Sequence, residues 1–191
     1  MMRIVLLLLF LTANVFAQST PAPAGKYPPL RVQASAGTHQ KPAGGSFYKR
    51  TMEINPKVII EGVGSMKPIP ALDATMLVIT LDTQAKYVKK KDVLKVHSVA
   101  SQPIPEAANG ARREFTFPEE SVEFDSYRDS SNVGGEVYKY FILGLRDPAS
   151  KEIIGFETNY PALAAFVKAH PEKRDEYLSI KKGAKLPEEL K

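Results

Sequence analysis

Between Glu136 and Thr158 the chain alternates side chains with a period of two, breaks at Asp147-Pro148-Ala149-Ser150, and resumes. That period sends successive side chains to opposite faces of a strand, so the stretch predicts a β-hairpin. In its first arm Val137, Phe141, Leu143 and Leu145 share a face with Lys139, while Tyr138, Tyr140 and Ile142 occupy the other. An arm apolar on both faces needs cover on both, and a lone hairpin is not stable in water. A second sheet or a helix must therefore lie over it. The turn reads as structural: Asp at the first position can accept from turn amides, and Pro at the second pre-sets φ.

Upstream, residues 74–82 (ATMLVITLD) form a second strand with apolar side chains on both faces, the pattern of an interior strand. Met52, Ile54, Val58 and Ile60 alternate across Asn55-Pro56, and a proline inside such a pattern predicts an edge strand or a bulge. Residues 92–100, the alternating REFTF of 113–117, and Val122 with Phe124 complete about seven strands. After Asn159-Tyr160 the period changes. Pro161 suits a first helical turn, and Leu163, Phe166 and Val167 make one apolar stripe. Pro171 ends that helix, a second short one is expected over 172–180, and the charged residues beyond it are expected to fray.

The N-terminus has a different pattern. Met1-Met2-Arg3, an apolar run from Ile4 to Leu11 and the small-residue exit Val15-Phe16-Ala17 read as a signal peptide over 1–17. Its apolar stretch is well below the roughly 20 residues that span a bilayer. Residues 18–49, rich in Pro, Gly, Ala and Ser and without a hydrophobic period, read as an extended spacer. The expected organisation is thus signal peptide 1–17, linker 18–49, sandwich with closing helix 50–170, and charged tail 171–191. The expected location is the periplasm, outer membrane or surface of a bacterium, since the chain lacks cysteine and any Asn-x-Ser/Thr acceptor.

Composition changes the picture at one point. The net charge of +5 suggests a polyanion, but the five basic residues between Gln18 and Arg50 face no acidic ones there, whereas 51–170 carries 14 basic and 16 acidic residues. The excess lies outside the expected domain, so no nucleic-acid partner is expected. Motifs for nucleophilic or zinc catalysis are missing, only three histidines occur, and no cofactor or metal is expected. Candidate contact residues are the acidic Glu120, Glu123, Asp125 and Asp129, whose oxygens could take calcium, and the aromatic Tyr127, Tyr138 and Tyr140, which could stack on sugars or anchor a partner. The competing expectations are a solvated rim for the acids and core packing for the tyrosines.

The interior strand TMLVITL, the alternating REFTF and the hairpin YFILGLRDPASKEIIGFE, behind a signal peptide and a Pro/Gly-rich spacer, look like an immunoglobulin-like β-sandwich closed by a C-terminal helical segment. Over residues 51–169 the chain resembles exported immunoglobulin-like proteins of Akkermansia and related Verrucomicrobia that associate with pilus-type assemblies at the outer membrane. The resemblance implies a non-enzymatic surface protein, peripheral to a membrane at most, working in assembly, adhesion or host contact through protein partners or self-association. It carries over no catalytic residue. A glycan-binding module using the tyrosines and the acidic run is the alternative, and a hydrolase with an unrecognised site the second.

Overall fold

In the computed structural model, residues 27–44, 47–64, 67–126 and 134–186 are described. The chain runs β1 (Leu30–Pro42), β2 (Lys49–Gly62), β3 (Leu72–Asp82), α1 (Thr83–Tyr87), β4 (Leu94–Ile104), β5 (Arg113–Thr116), β6 (Glu120–Asp125), β7 (Glu136–Arg146), β8 (Ile153–Thr158), α2 (Pro161–Ala169) and α3 (Arg174–Leu178). All pairings are antiparallel. One sheet has β1 beside β2, with β5 and β6 end to end along the other side of β2; the second runs β4-β3-β7-β8. If β5 and β6 count as halves of one broken strand, the pairings are A-B-E and C′-C-F-G of an immunoglobulin-like sandwich. The expected hairpin is β7 and β8.

Both faces of β3 and β7 are covered. Val32, Val58 and Ile60 of the first sheet meet Leu72, Met76, Leu143 and Leu145 of the second, and Met52, Ile54 and Val122 pack on Val78. On the far side of the second sheet, Leu77, Ile79, Ile142 and Phe156 pack under Leu163, Val167, Tyr177 and Leu178 of the C-terminal helices. The molecule is thus sheet on sheet with helices over one outer face. Gly144 sets how closely α3 approaches, because a Cβ there would overlap the Leu178 side chain. Gly144→Ala is therefore expected to cost about 1–3 kcal/mol in a urea melt, the usual range for overpacking.

Three sequence expectations are corrected. Residues 30–42, read as spacer, form β1, paired with β2 throughout from Leu30–Gly62 to Pro42–Arg50. An edge strand buries little: only Val32 of β1 is fully buried, with Leu30, Ala34 and Ala36 partly so. Its stability lies in the backbone ladder, which composition does not report, and its prolines fall at the ends (Pro28, Pro29 and Pro42). The linker therefore does not reach residue 49. β2, in turn, is central in its sheet despite Pro56. β6 pairs with Lys49 to Ile54 and β5 with Lys57 to Ile60. Pro56 lies opposite the gap, so its missing N–H removes no bond to either strand, while its carbonyl accepts from Phe117 N. Lastly, part of the tail is ordered: Gly183 N bonds Val96 O, Val96 N bonds Ala184 O and Leu186 N bonds Leu94 O. Residues 1–17 lie outside those described; among the described residues no helix is long and apolar enough to cross a membrane.

Candidate functional site

The two tyrosines expected to share a face do not. Tyr140 pairs with Ile79 and Tyr138 with Thr80, which leaves Lys139 as the extra residue of a β-bulge. A bulge puts two residues opposite one and resets which face each side chain takes. Tyr140, 1% exposed, joins the helix-side core and stacks on Tyr160 with ring centroids 4.7 Å apart. Tyr138 packs instead by Met52, Ile54, Val78 and Val122. Its hydroxyl accepts from Asn159 Nδ2 at 3.1 Å, and burial pushes its pKa up to about 12. A buried Tyr140 has no face for a sugar, so Tyr138 and Tyr140 form no platform together. Tyr127 and Asp129 lie outside the described residues.

The acidic run is also split. Along β6, Glu120 shares a face with buried Val122, while Glu123 and Asp125 lie opposite Thr51 and Lys49 on the other face. Among the described residues no three His, Cys, Asp or Glu side chains are placed to hold a metal ion. Glu120 turns inward to His97, another bulged residue, since Val78 pairs with Ser98 and Ile79 with Val96. The ring sits between sheets: Nε2 is 3.8 Å from Glu120 Oε2 and Nδ1 3.5 Å from Glu136 Oε2. Thr80 Oγ1 donates to Glu136 Oε2 at 2.7 Å. Lys95 Nζ lies 3.1 Å from Asp82 Oδ2 and 3.6 Å from Glu136 Oε1. Asp82 also caps α1 by accepting from Ala85 N at 2.9 Å. Burial alone would raise the Asp82 pKa, but the Ala85 amide and Lys95 outweigh it and hold the carboxyl below its ordinary value. Lys95 is raised, chiefly by its bond to Asp82. Thr80, Asp82, Lys95 and Glu136 are committed to one another, and His97 stands between them and Glu120 of the facing sheet. In the sequence His97 falls within the strand expected over 92–100 and carries no further signal; the two bulges that assemble the cluster have no signature in it.

A shallow cavity of about 460 Å³ is lined by Arg146, Lys151, Ile153, Pro171, Glu172 and Asp175. Its cations are already engaged, Arg146 with Asp175 at 2.5 Å and Lys151 with Asp73 at 3.0 Å.

The edges differ more. The outer edge of β4 is covered at its start by residues 183–186 and broken by Pro103. β5, β6 and β8 have only four, six and six residues. β1 has 13 residues, with no Asp, Glu, Lys or Arg between Arg31 and Lys41. Among the described residues no strand pairs with its outer edge. The direction of each backbone group follows from the register. Val63 N donates to Pro29 O at 2.8 Å and Ala43 N to Lys49 O at 3.0 Å. Those pairs make odd-numbered residues bond β2, because antiparallel ladders alternate, and the register is unbroken. The N–H and C=O groups of Val32, Ala34, Ala36, Thr38 and Gln40 therefore face outward. Such a row is a template for pairing with another strand.

Beside this edge lies one more unusual group. β8 is the last strand of the second sheet and packs against β1. Its Glu157 pairs with Leu143, whose side chain is in the inter-sheet core, so Glu157 is on the inner face too. It is 5% exposed, and burial alone pushes its pKa up to about 7. Periodicity would have found its face, but nothing in the sequence reports that it is buried.

No family model matches this chain, and no curated protein does. Among solved structures it is similar to a protein from Akkermansia muciniphila, at 12% identity over 74% of this chain and 74% of that one with a TM-score of 0.29. It is similar also to a structural-genomics target known from X-ray work, at 12% identity over 68% of this chain and 84% of that one, TM-score 0.29. Likenesses of this strength bear on neither family nor activity.

Proposed function

We propose that this is a non-enzymatic exported protein, a surface component of the pilus-associated kind its sequence resembles, which acts in assembly, adhesion or host contact by accepting a strand at the edge of its sandwich. The observation that carries this reading is the outer edge of β1: 13 residues long, without Asp, Glu, Lys or Arg in its middle and unpaired among the described residues, where the other edges are short, broken or covered. Strand addition of this type draws affinity from main-chain bonds and specificity from alternate side chains.

The edge can be blocked without breaking its sheet. Thr38 is exposed and points its N–H outward, so Thr38→Pro removes one template donor and no bond to β2. The mature protein is expected to form self-assemblies or envelope complexes in sedimentation and crosslinking that Thr38→Pro weakens at least tenfold at an unchanged melting temperature. Association that is indifferent to Thr38→Pro, or a strict monomer with no partner, would contradict this function.

A further inference from the structure

On the reading that β1 accepts a strand, we infer that the strand comes from a different chain and carries a lysine or arginine pointing into the seam between β1 and β8, where it meets the Glu157 carboxylate. β1 and β8 are each the last strand of their sheet, and they lie on the same side of the sandwich. Tyr27, just before β1, bonds Asp147 in the turn just before β8 at 2.6 Å, so both strands leave one fixed point. A strand added outside β1 would send alternate side chains to the inner face of its sheet, over the margin of β8. There Glu157 makes no hydrogen bond or ion pair with any described residue, although it is more than nine-tenths buried. A carboxylate so largely removed from water, and paired by no described residue, is costly, and an incoming cation with hydrogen-bonding N–H groups relieves that cost.

The β1 strand of a second copy would not supply that cation. Two β1 strands paired antiparallel across their outer edges keep inner face with inner face, because directly opposed residues point the same way. The inner-facing residues of β1 are those in line with buried Val32: Leu30, Ala34, Ala36, Thr38, Gln40 and Pro42, none of them basic. The basic residues of β1, Arg31 and Lys41, occupy the other face and are paired with Glu61 and Glu53. The seam therefore selects against self-pairing of β1 and for a basic-residue-bearing strand of another protein.

The test uses the mature protein and synthetic nine-residue peptides of alternating Val and Thr, with a single Lys walked through every position and a matched series carrying Glu. Binding is read by fluorescence anisotropy at pH 8. The best Lys peptide is expected to bind at least tenfold more tightly than its Glu counterpart. Glu157→Gln should erase that preference, and Thr38→Pro should abolish binding of both series. Lys and Glu peptides that bind equally, and lose binding in Thr38→Pro, would overturn the role of Glu157 while leaving the edge in place. No binding by any peptide, with Thr38→Pro still disrupting assemblies of the purified protein alone, would also overturn the inference and assign the edge to self-association.

Discussion

Replacing Glu157 by glutamine is expected to stabilise the protein at pH 8 and to leave its stability near pH 4 almost unchanged. In the folded protein, burial lifts this carboxyl from an ordinary value of 4.5 to about 7. Between those values the folded state holds a proton that the unfolded state has released. Stability therefore falls as pH rises through this window and levels off above it. The contribution of this group is present in full below the unfolded value and lost above the folded one, which over the shift amounts to up to about 3 kcal/mol. Glutamine keeps the shape and removes the titration. In thermal melts across pH 4 to 8 the wild-type protein should lose roughly 6–12 °C relative to Glu157→Gln, for a domain of this size. Parallel curves for the two proteins would mean that Glu157 is solvated or paired.

Loss of Asp147 should have an effect of the opposite sign and at least as large. Its Oδ1 accepts from Ala149 N at 2.8 Å and Ser150 N at 3.0 Å, closing the β7–β8 turn, and its Oδ2 accepts from the Tyr27 hydroxyl. Asp147 is 2% exposed, so its partners have little water to turn to. Burial, and then the bond to Asp147, raise the Tyr27 pKa. Hydrogen bonds to a charged group contribute about 1.5–3 kcal/mol each and do not add simply, so Asp147→Ala is expected to cost about 3–5 kcal/mol in urea unfolding. Tyr27→Phe alone should cost about 1.5–3 kcal/mol, and the double-mutant cycle should return a coupling of similar size. If the segment before β1 were a loose spacer, Tyr27→Phe would be neutral and the coupling zero.

These two acids illustrate which parts of the fold the sequence discloses. The hairpin, its Asp-Pro turn, the interior strand 74–82 and the helix after Pro161 were all readable, because each depends on local period and turn chemistry. From a first arm apolar on both faces came the need for cover on both sides, and the structure supplies a sheet on one and helices on the other. β1 was hidden because an edge strand is held by its ladder, and its Ala, Ser, Gly and Thr read as linker. Pro56 misled because the gap between β5 and β6 is a tertiary fact. The tyrosine face failed at a single inserted residue, Lys139, since one bulge inverts the faces beyond it. Neither the His97 cluster nor the burial of Glu157 could be read from spacing, because both depend on which sheet lies opposite.

Residue-resolved amide hydrogen exchange over residues 30–42 tests most directly whether β1 is a strand with an open outer edge. In the free protein the amides of Arg31, Gln33, Ser35, Gly37, His39 and Lys41 should be protected by their bonds to β2, while those of Val32, Ala34, Ala36, Thr38 and Gln40 exchange quickly. Fast exchange at every position would return the segment to a spacer. Protection at every position would mean that the edge is already occupied, and either result would contradict a template strand waiting for its partner.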